Sequence, residues 1–345
     1  MSFLPEIASS GKIPPAGDPS AKIAIIGDYC DFWDARNLRP FSGPTGGVLE
    51  TCLHAAGLIT KEVYLDTVIP TASSKKTLSL YYSKRAQSNA RLSLSEKGKG
   101  LVEDLQARLQ NSSANILVAC GELAAYAMAG VDFLGTYRGY VFPSSFSISG
   151  GTKKVIPTFH PRDSLRGNYL YRHLITADLK KAKSLSLSSE LIRPERNLKY
   201  TFHSLEEALE WLDFFEHAAE ISFDIEVLQF ELACISFAAS PNLACSIPLV
   251  DGWTAEEEAC LWKGIQRVLG NPDSIKIGQN LIFDIHFLAT RCGIIVRGPI
   301  HDTMLAHSVI YPELKKGLGF LGSLYCGAQE YWKDSVKFSN IKEES

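Results

Sequence analysis

Two carboxylates stand one residue apart in the stretch SFDIEVLQFELACISFAAS, Asp224 and Glu226, at the front of an apolar, β-branched run that otherwise reads as buried core. Alternation along a strand puts positions i and i+2 on one face, so both acids point the same way. Like charges that close repel, and an isolated carboxylate is costly to bury, so the pair needs either open water or a cation between its members. Past SIKIG comes QNLIFDIHFLATRCG, where Asn280 and Asp284 are four residues apart and share one face of a helix or its first turn. Asp284 supplies a third acid aimed at the same sheet edge. Three converging acids fit a hard cation such as Mg²⁺ or Mn²⁺, and two such ions about 4 Å apart are the device for in-line displacement at phosphorus. The plainer alternative is a strand end whose acids sit in solvent.

The first half holds a second constellation. IIGDYCDFWDARNLRPFSGPTGGVLETCLHAAGL sets a strand, a polar loop and then R-P-F-x-G-x-x-G ahead of a helix. Glycines before a helix N-terminus let backbone N–H groups approach a phosphate or a base, which makes an anion cradle, although a tight connection uses the same residues.

These residues need elements to hold them. KIAIIGD, 22–28, reads as a short buried strand, GGVLETCLHAAGL as a helix ending at Gly57, and EVYLDTVI as the next strand. From Thr71 to about Gly98 no period emerges, which predicts loops with weak helix. A helix around 99–110, the strand NILVACG, the helix LAAYAMAG, the strand KKVIPTFHP and the amphipathic helix YRHLITADLKKAKSL follow. Strands alternating with helices imply a mainly parallel, layered α/β domain. The polar run SLSLSSELIRPERN marks a linker. KYTFHSLEEALEWLDFFEHA then predicts strand and helix, with Ser204 as cap and Glu207 completing a capping box. The acid-bearing strand, a partner strand NLACSIPLV across a turn at Ser-Pro-Asn, a helix over 254–269 and the strand SIKIG predict a mixed sheet. The expected boundaries are a leader over 1–21, a first domain over 22–185, a linker over 186–197 and a second domain over 198–345.

The bulk numbers bound the rest. The 345 residues are 46% hydrophobic and 21% charged, ordinary globular composition with room for two cores. Net charge is −3, so there is no global basic signature for nucleic acid, which leaves a local basic groove open. Eight scattered cysteines without a C-x-x-C pair read as reduced core residues rather than a zinc or disulfide framework. The N-terminal stretch lacks the regions of a signal peptide, and no apolar span approaches twenty residues, so a cytoplasmic protein without a membrane partner is expected.

FDIE, GQNLIFDIHFL and HDTMLAHSVIYPELKKGLGFLGSLY with YWKD resemble the first and second exonuclease motifs, and the segment after them, of the 3′–5′ proofreading domain of family A DNA polymerases, particularly phage ones, over roughly 198–334. The resemblance implies a mixed-sheet, ribonuclease H-like exonuclease domain in which Asp224, Glu226 and Asp284 are catalytic ligands of a two-ion Mg²⁺ or Mn²⁺ site and Asn280 orients it. Under it Asp302 is structural, and His286, His301 and His307 are polar shell. The family's third motif, Tyr-x-x-x-Asp, has no match after Asp302; Asp334, Glu343 and Glu344 could stand in for its acid, although in a polar tail they read as solvated charge. This implies a C-terminally incomplete exonuclease domain, the front of a longer polymerase or one piece of a split one.

The first half resembles family 4-like uracil-DNA glycosylases over about 22–183, through the R-P-F-x-G-x-x-G segment, VYLDTVIP, ILVACGELAAYAMAG and VIPTFHPRDSLRG. The resemblance implies a parallel-sheet domain in which Asp28 takes the place of the water-activating glutamate, Phe41 that of the aromatic stacking on a flipped base, and His160 that of the histidine near the scissile bond. Tyr29, Cys30 and Asp31 replace small residues and a Pro-Gly pair, Thr67 replaces the uracil-reading asparagine, and no iron–sulfur cysteines are present. Asp28, Phe41 and His160 are expected to line one cleft, with uracil excision absent or feeble.

The expected function is therefore that of a DNA replication and proofreading component: a metal-dependent 3′–5′ exonuclease acting on single-stranded 3′ ends, with a polymerase fragment or subunit as partner, in the host cytoplasm if phage-encoded. The alternatives are a catalytically weak DNA- or polymerase-binding module and a uracil-DNA glycosylase of base-excision repair.

Overall fold

The computed structural model describes residues 11–74, 77–84, 92–193, 195–250, 252–327 and 331. Contacts divide the chain into two compact units, Met1–Arg193 with Gly319–Ser345, and Pro194–Leu318. The first unit runs β1 (Ala16–Gly17), β2 (Ile23–Cys30), α1 (Phe32–Asn37), α2 (Gly43–Ala55), β3 (Val63–Ala72), β4 (Tyr82–Lys84), β5 (Leu92–Leu94), α3 (Glu96–Leu109), β6 (Ile116–Cys120), α4 (Glu122–Ala129), α5 (Leu134–Tyr137), β7 (Phe142–Pro143), β8 (Lys154–Thr158) and α6 (Tyr171–Leu185). The second runs β9 (Asn197–Lys199), α7 (Leu205–Glu216), β10 (Glu220–Leu228), β11 (Glu231–Ser240), β12 (Leu243–Pro248), α8 (Ala255–Gly270), β13 (Ile275–Gly278), α9 (Ile282–Arg291), β14 (Ile300–Asp302) and α10 (Thr303–Ile310). Helix α11 (Leu318–Tyr325) begins at the junction, and from Gly319 onward the chain belongs to the first unit.

The first unit's sheet has the order β1-β3-β2-β6-β8-β7, with β3, β2, β6 and β8 parallel and an antiparallel strand at each edge. Its continuous apolar strands are buried on both sides, as parallel sheets require. Ile23 and Ile25 of β2 face a core shared with Leu49, Leu53 and Leu179, while Ala24 and Ile26 face the opposite core with Leu105, Leu109 and Leu123. The segment expected as a leader contributes to this unit: Ala16–Gly17 pairs with Tyr64–Leu65, and Ile13, 2% exposed, donates its N–H to Pro70 O. Where Thr71 to Gly98 predicted only loops and weak helix, β4 pairs antiparallel with β5.

The second sheet is mixed, in the order β14-β13-β10-β11-β12-β9. Along β10 burial alternates residue by residue: Ile221, Phe223 and Ile225 join a core with Leu212, Phe215, Ile265 and Val268 of α7 and α8. Asp224 and Glu226 point the other way and are exposed. The run expected as one strand is two, joined by a turn at Gln229 and Phe230, whose φ values are 49° and 70°. Both residues occupy the left-handed region that a tight hairpin demands, but neither is the glycine or asparagine that usually signals it. Ser204 caps helix α7 as expected, its Oγ accepting from the Glu207 N–H, yet the Glu207 carboxylate reaches back to the N–H of His203 rather than to that of Ser204.

From Gly319 the chain is anchored in the first unit by a buried polar cluster. Arg138, 2% exposed, pairs with Asp178 at 2.6 Å and donates to Ser323 Oγ at 2.6 Å. Lys181 donates to Ser323 O and Gly139 O, and Tyr140 OH to Gly319 O.

Candidate functional site

In the second unit, pairing of β10 with β13 ends at Ser222, so backbone groups further along that edge have no strand partner there. Asp284, in the first turn of α9 and 5% exposed, fills one position: the Ile225 N–H donates to its Oδ1 at 3.1 Å. A helix acid is thereby seated at the strand residue lying between Asp224 and Glu226. Although Asp224 is exposed as a residue, its carboxyl is partly desolvated against the neighbouring chain, and this, then the charges of Asp284 and Glu226, push it up to about 6. Asp284 is raised as well, by burial first, with the Ile225 N–H opposing and the charges of Glu226 and Asp302 adding. Uncompensated oxygen charge of this kind fits a hard divalent cation. Among the described residues, however, no group of three or more His, Cys, Asp or Glu side chains is arranged to hold a metal ion.

Asn280 lies outside the helix that was expected to carry it. It has φ 60°, is exposed, and its N–H donates to Asp302 Oδ1. Asp302 caps α10 and also accepts from Leu281, Met304 and Leu305 N–H groups; burial works to raise its pKa, and these four donors hold it below the usual carboxylate range. His286 and His301 are exposed and His307 is buried. Asp334, Glu343 and Glu344 lie outside the described residues. Sequence reasoning missed Phe230 and Leu228, which are 85% and 59% exposed where β10 turns into β11, just beyond the acid pair.

In the first unit Asp28 sits near the end of β2, where Ala124 N–H donates to its Oδ1 at 2.9 Å. The turn into α4 has room for that carboxylate because Gly121, at φ 108°, lacks a Cβ that would stand 2.3 Å from Oδ2. Burial raises Asp28 to about 7, against the Ala124 hydrogen bond. Asp28 and His160 share a cavity of about 560 Å³ with Tyr29, Glu122 and Arg162. The Arg162 backbone N–H donates to His160 Nδ1, and burial, with the charges of Arg162 and Arg166, keeps the imidazole well below its usual pKa. A neutral ring accepting at Nδ1 carries its proton on Nε2.

Phe41 does not line that cavity. It belongs to a separate depression with Arg39, Gly46 and Gly47, and meets His160 as a stack with centroids 5.6 Å apart and planes 19° from parallel. A Cβ on Gly27 would stand 2.8 Å from Phe41 Cζ and 3.3 Å from both His160 Nε2 and Thr67 Cγ2, so these residues close on one another. Thr67, 2% exposed, donates its hydroxyl to Ile69 O and meets Cys30 Sγ. Arg162, which sequence reasoning did not single out, lies 4.0 Å over the Tyr29 ring and donates to Tyr29 O.

Two family models match the chain in succession: the uracil DNA glycosylase superfamily over residues 14–182 and the 3′–5′ exonuclease over 192–340. The chain thus carries a uracil-DNA glycosylase-like domain followed by a 3′–5′ exonuclease domain. That second domain is of the DNA polymerase I type. A DNA polymerase I from Pseudomonas aeruginosa is 30% identical over 110 residues, covering 29% of this chain and 12% of the polymerase. Solved structures similar to part of the chain include the Nibbler EXO domain of Aedes aegypti, at 16% identity and TM-score 0.33, covering 41% of this chain and 73% of that one. The Trypanosoma brucei RNase D matches at 14% identity and TM-score 0.34, covering 44% of this chain and 54% of its own. The chain therefore spans a small part of the polymerase and about half of the RNase D. No helix among the described residues is long and apolar enough to cross a membrane.

Proposed function

We propose that the second unit removes nucleotides from single-stranded 3′ ends of DNA by metal-dependent hydrolysis, as the proofreading part of a family A polymerase of phage type, whole or split. The observation that carries this reading is the Ile225 N–H to Asp284 hydrogen bond, which joins a helix acid to a strand bearing two more. Asp224, Glu226 and Asp284 are not arranged as a metal-holding group in this structure; drawn together around Mg²⁺ or Mn²⁺ they would supply its oxygen ligands, and the ion would neutralise charge at the phosphate and activate water. The protein's own part is positioning. Asp302 fixes the start of α9 through Asn280 and Leu281, and so the register of Asp284. Phe230 offers an exposed face on which a terminal base can stack.

The test is digestion of 3′-labelled single-stranded DNA. Three carboxylates hold two ions less well than four, so the chain alone should digest on the order of 10²-fold more slowly than with a fragment carrying a Tyr-x-x-x-Asp motif added in trans. Asp224→Ala should abolish both activities. No digestion with either metal, with or without the fragment, would leave the binding-module reading.

For the first unit, the closed contact among Gly27, Phe41, Thr67 and His160 favours a DNA-binding or scaffold role over uracil excision.

A further inference from the structure

We propose that a groove at the far end of the second sheet from the acids binds the phosphate backbone of a nucleic-acid strand. The groove, about 740 Å³, is lined by Glu216 and His217 at the end of α7, by Lys263, Arg267 and Asn271 on and after α8, and by Arg297. These segments precede β10, β13 and β14, so the groove lies at the strand starts, whereas Asp224 and Glu226 are the fifth and seventh residues of β10.

The charge there is one-sided. Three permanent cations, Lys263, Arg267 and Arg297, face one carboxylate, and that carboxylate, Glu216, is already engaged by Arg267 Nε at 2.7 Å. Lys263 and Arg297 are exposed, and among the described residues neither enters an ion pair. His217 bonds the Asp213 carbonyl, a contact that raises its pKa, with the Asp213 charge adding. In the strand just beyond, the ammonium of buried Lys276 donates to the carbonyls of Asn271 and Ser274; burial lowers its pKa and Asp273 opposes. The acids of the neighbouring face, Glu206, Glu210 and Asp213, line a separate depression in which Lys263 and Arg267 also stand, so those two cations separate the acidic row from the groove. A concavity lined by one sign of charge raises the local concentration of a polyanion. The lining is mostly polar, with Ile295 and Pro272 its apolar members. A protein partner would want an apolar centre, while backbone phosphates need cations and hydrogen-bond donors. The choice of nucleic acid over other polyanions rests on the nuclease reading above.

The experiment uses the full chain carrying Asp224→Ala, so that the probe survives, and fluorescence anisotropy with a labelled single strand of about 20 nucleotides between about 50 and 200 mM salt. Replacing Lys263 and Arg297 together by alanine should weaken binding roughly five- to tenfold at low salt and flatten the slope of log affinity against log salt by about 1.4, about 0.7 for each lost cation on a single strand. Lys263→Arg with Arg297→Lys should restore both. Unchanged affinity and slope in the alanine variant would overturn the proposal, as would displacement of the strand by a polyglutamate peptide as effectively as by unlabelled DNA. A chain that never digests DNA but binds it through Lys263 and Arg297 would uphold the groove while removing the nuclease reading.

Discussion

Phe41 and His160 lie face to face with ring centroids 5.6 Å apart. A base stacked on Phe41 needs a free ring face at a contact distance of about 3.5 Å, and the face turned to His160 is already covered by the imidazole, while the Thr67 hydroxyl is spent on Ile69 O. Uracil-containing single-stranded DNA incubated with the chain and cleaved with alkali should show no strand breaks above background. Robust release, lost on Asp28→Ala, would show that the stack opens.

The raised pKa of Asp224 gives the acid site a definite pH sign. In the unfolded chain the group titrates near 3.8 and in the fold near 6, so the fold holds the proton more tightly and loses stability as pH rises through that window. Asp224→Asn should therefore raise the melting temperature at pH 7.5 while abolishing digestion, and the parent should gain stability from added Mn²⁺ that the variant does not. A variant that melts lower than the parent would show that the carboxylate is not under repulsion.

Asp302 carries four backbone donors, two in α10 and two at Asn280 and Leu281. Losing a helix cap costs typically about 1 kcal/mol, and Asp302→Ala also frees the start of α9, so about 2 kcal/mol is expected in urea unfolding. Its lowered pKa means that this contribution is present above pH 3.8 and lost as acid protonates the group. Asp302→Asn, which keeps one acceptor oxygen, should recover part of the loss. An Asp302→Ala chain as stable as the parent would refute the bridging role.

Arg138 and Asp178 are 2% and 1% exposed and 2.6 Å apart. Removing one member strands a buried charge, so Arg138→Met should cost about 3–5 kcal/mol. Joint replacement with Asp178→Leu should recover most of that, since no charge then remains buried alone. Equal losses in the single and double variants would indicate that the Arg138 contacts to Ser323 and over Phe320 dominate instead.

What the sequence revealed follows from how strongly each feature repeats. The strands of the first unit are continuous apolar runs alternating with helices, and the acid face of β10 follows from strict alternation, so both were legible. The turn at Gln229 and Phe230 was not, because left-handed backbone there is imposed by the strands on either side and no glycine announces it. Ala16–Gly17 reads as loop because a two-residue edge strand has no period. The positions of Asp28 and His160 at strand ends could be placed from sequence, but whether Phe41 opens toward a ligand or stacks on His160 depends on side-chain contacts between distant segments. The same holds for the groove at Arg297: its cations come from two separate segments, α8 and the loop before β14, neither of which is basic as a run.

The anchoring of Ser323 beside Arg138 makes the 194–318 block an insertion in the first unit's sequence rather than a tail appended to it. A dissection at the polar stretch around 186–197, the natural choice from sequence, would separate Arg138 and Lys181 from the carbonyl and hydroxyl they bind. Excising the block and rejoining its flanks through a linker would keep those partners on one polypeptide. Moving residues 194–318 alone between proteins would accordingly require two junctions, one on each side.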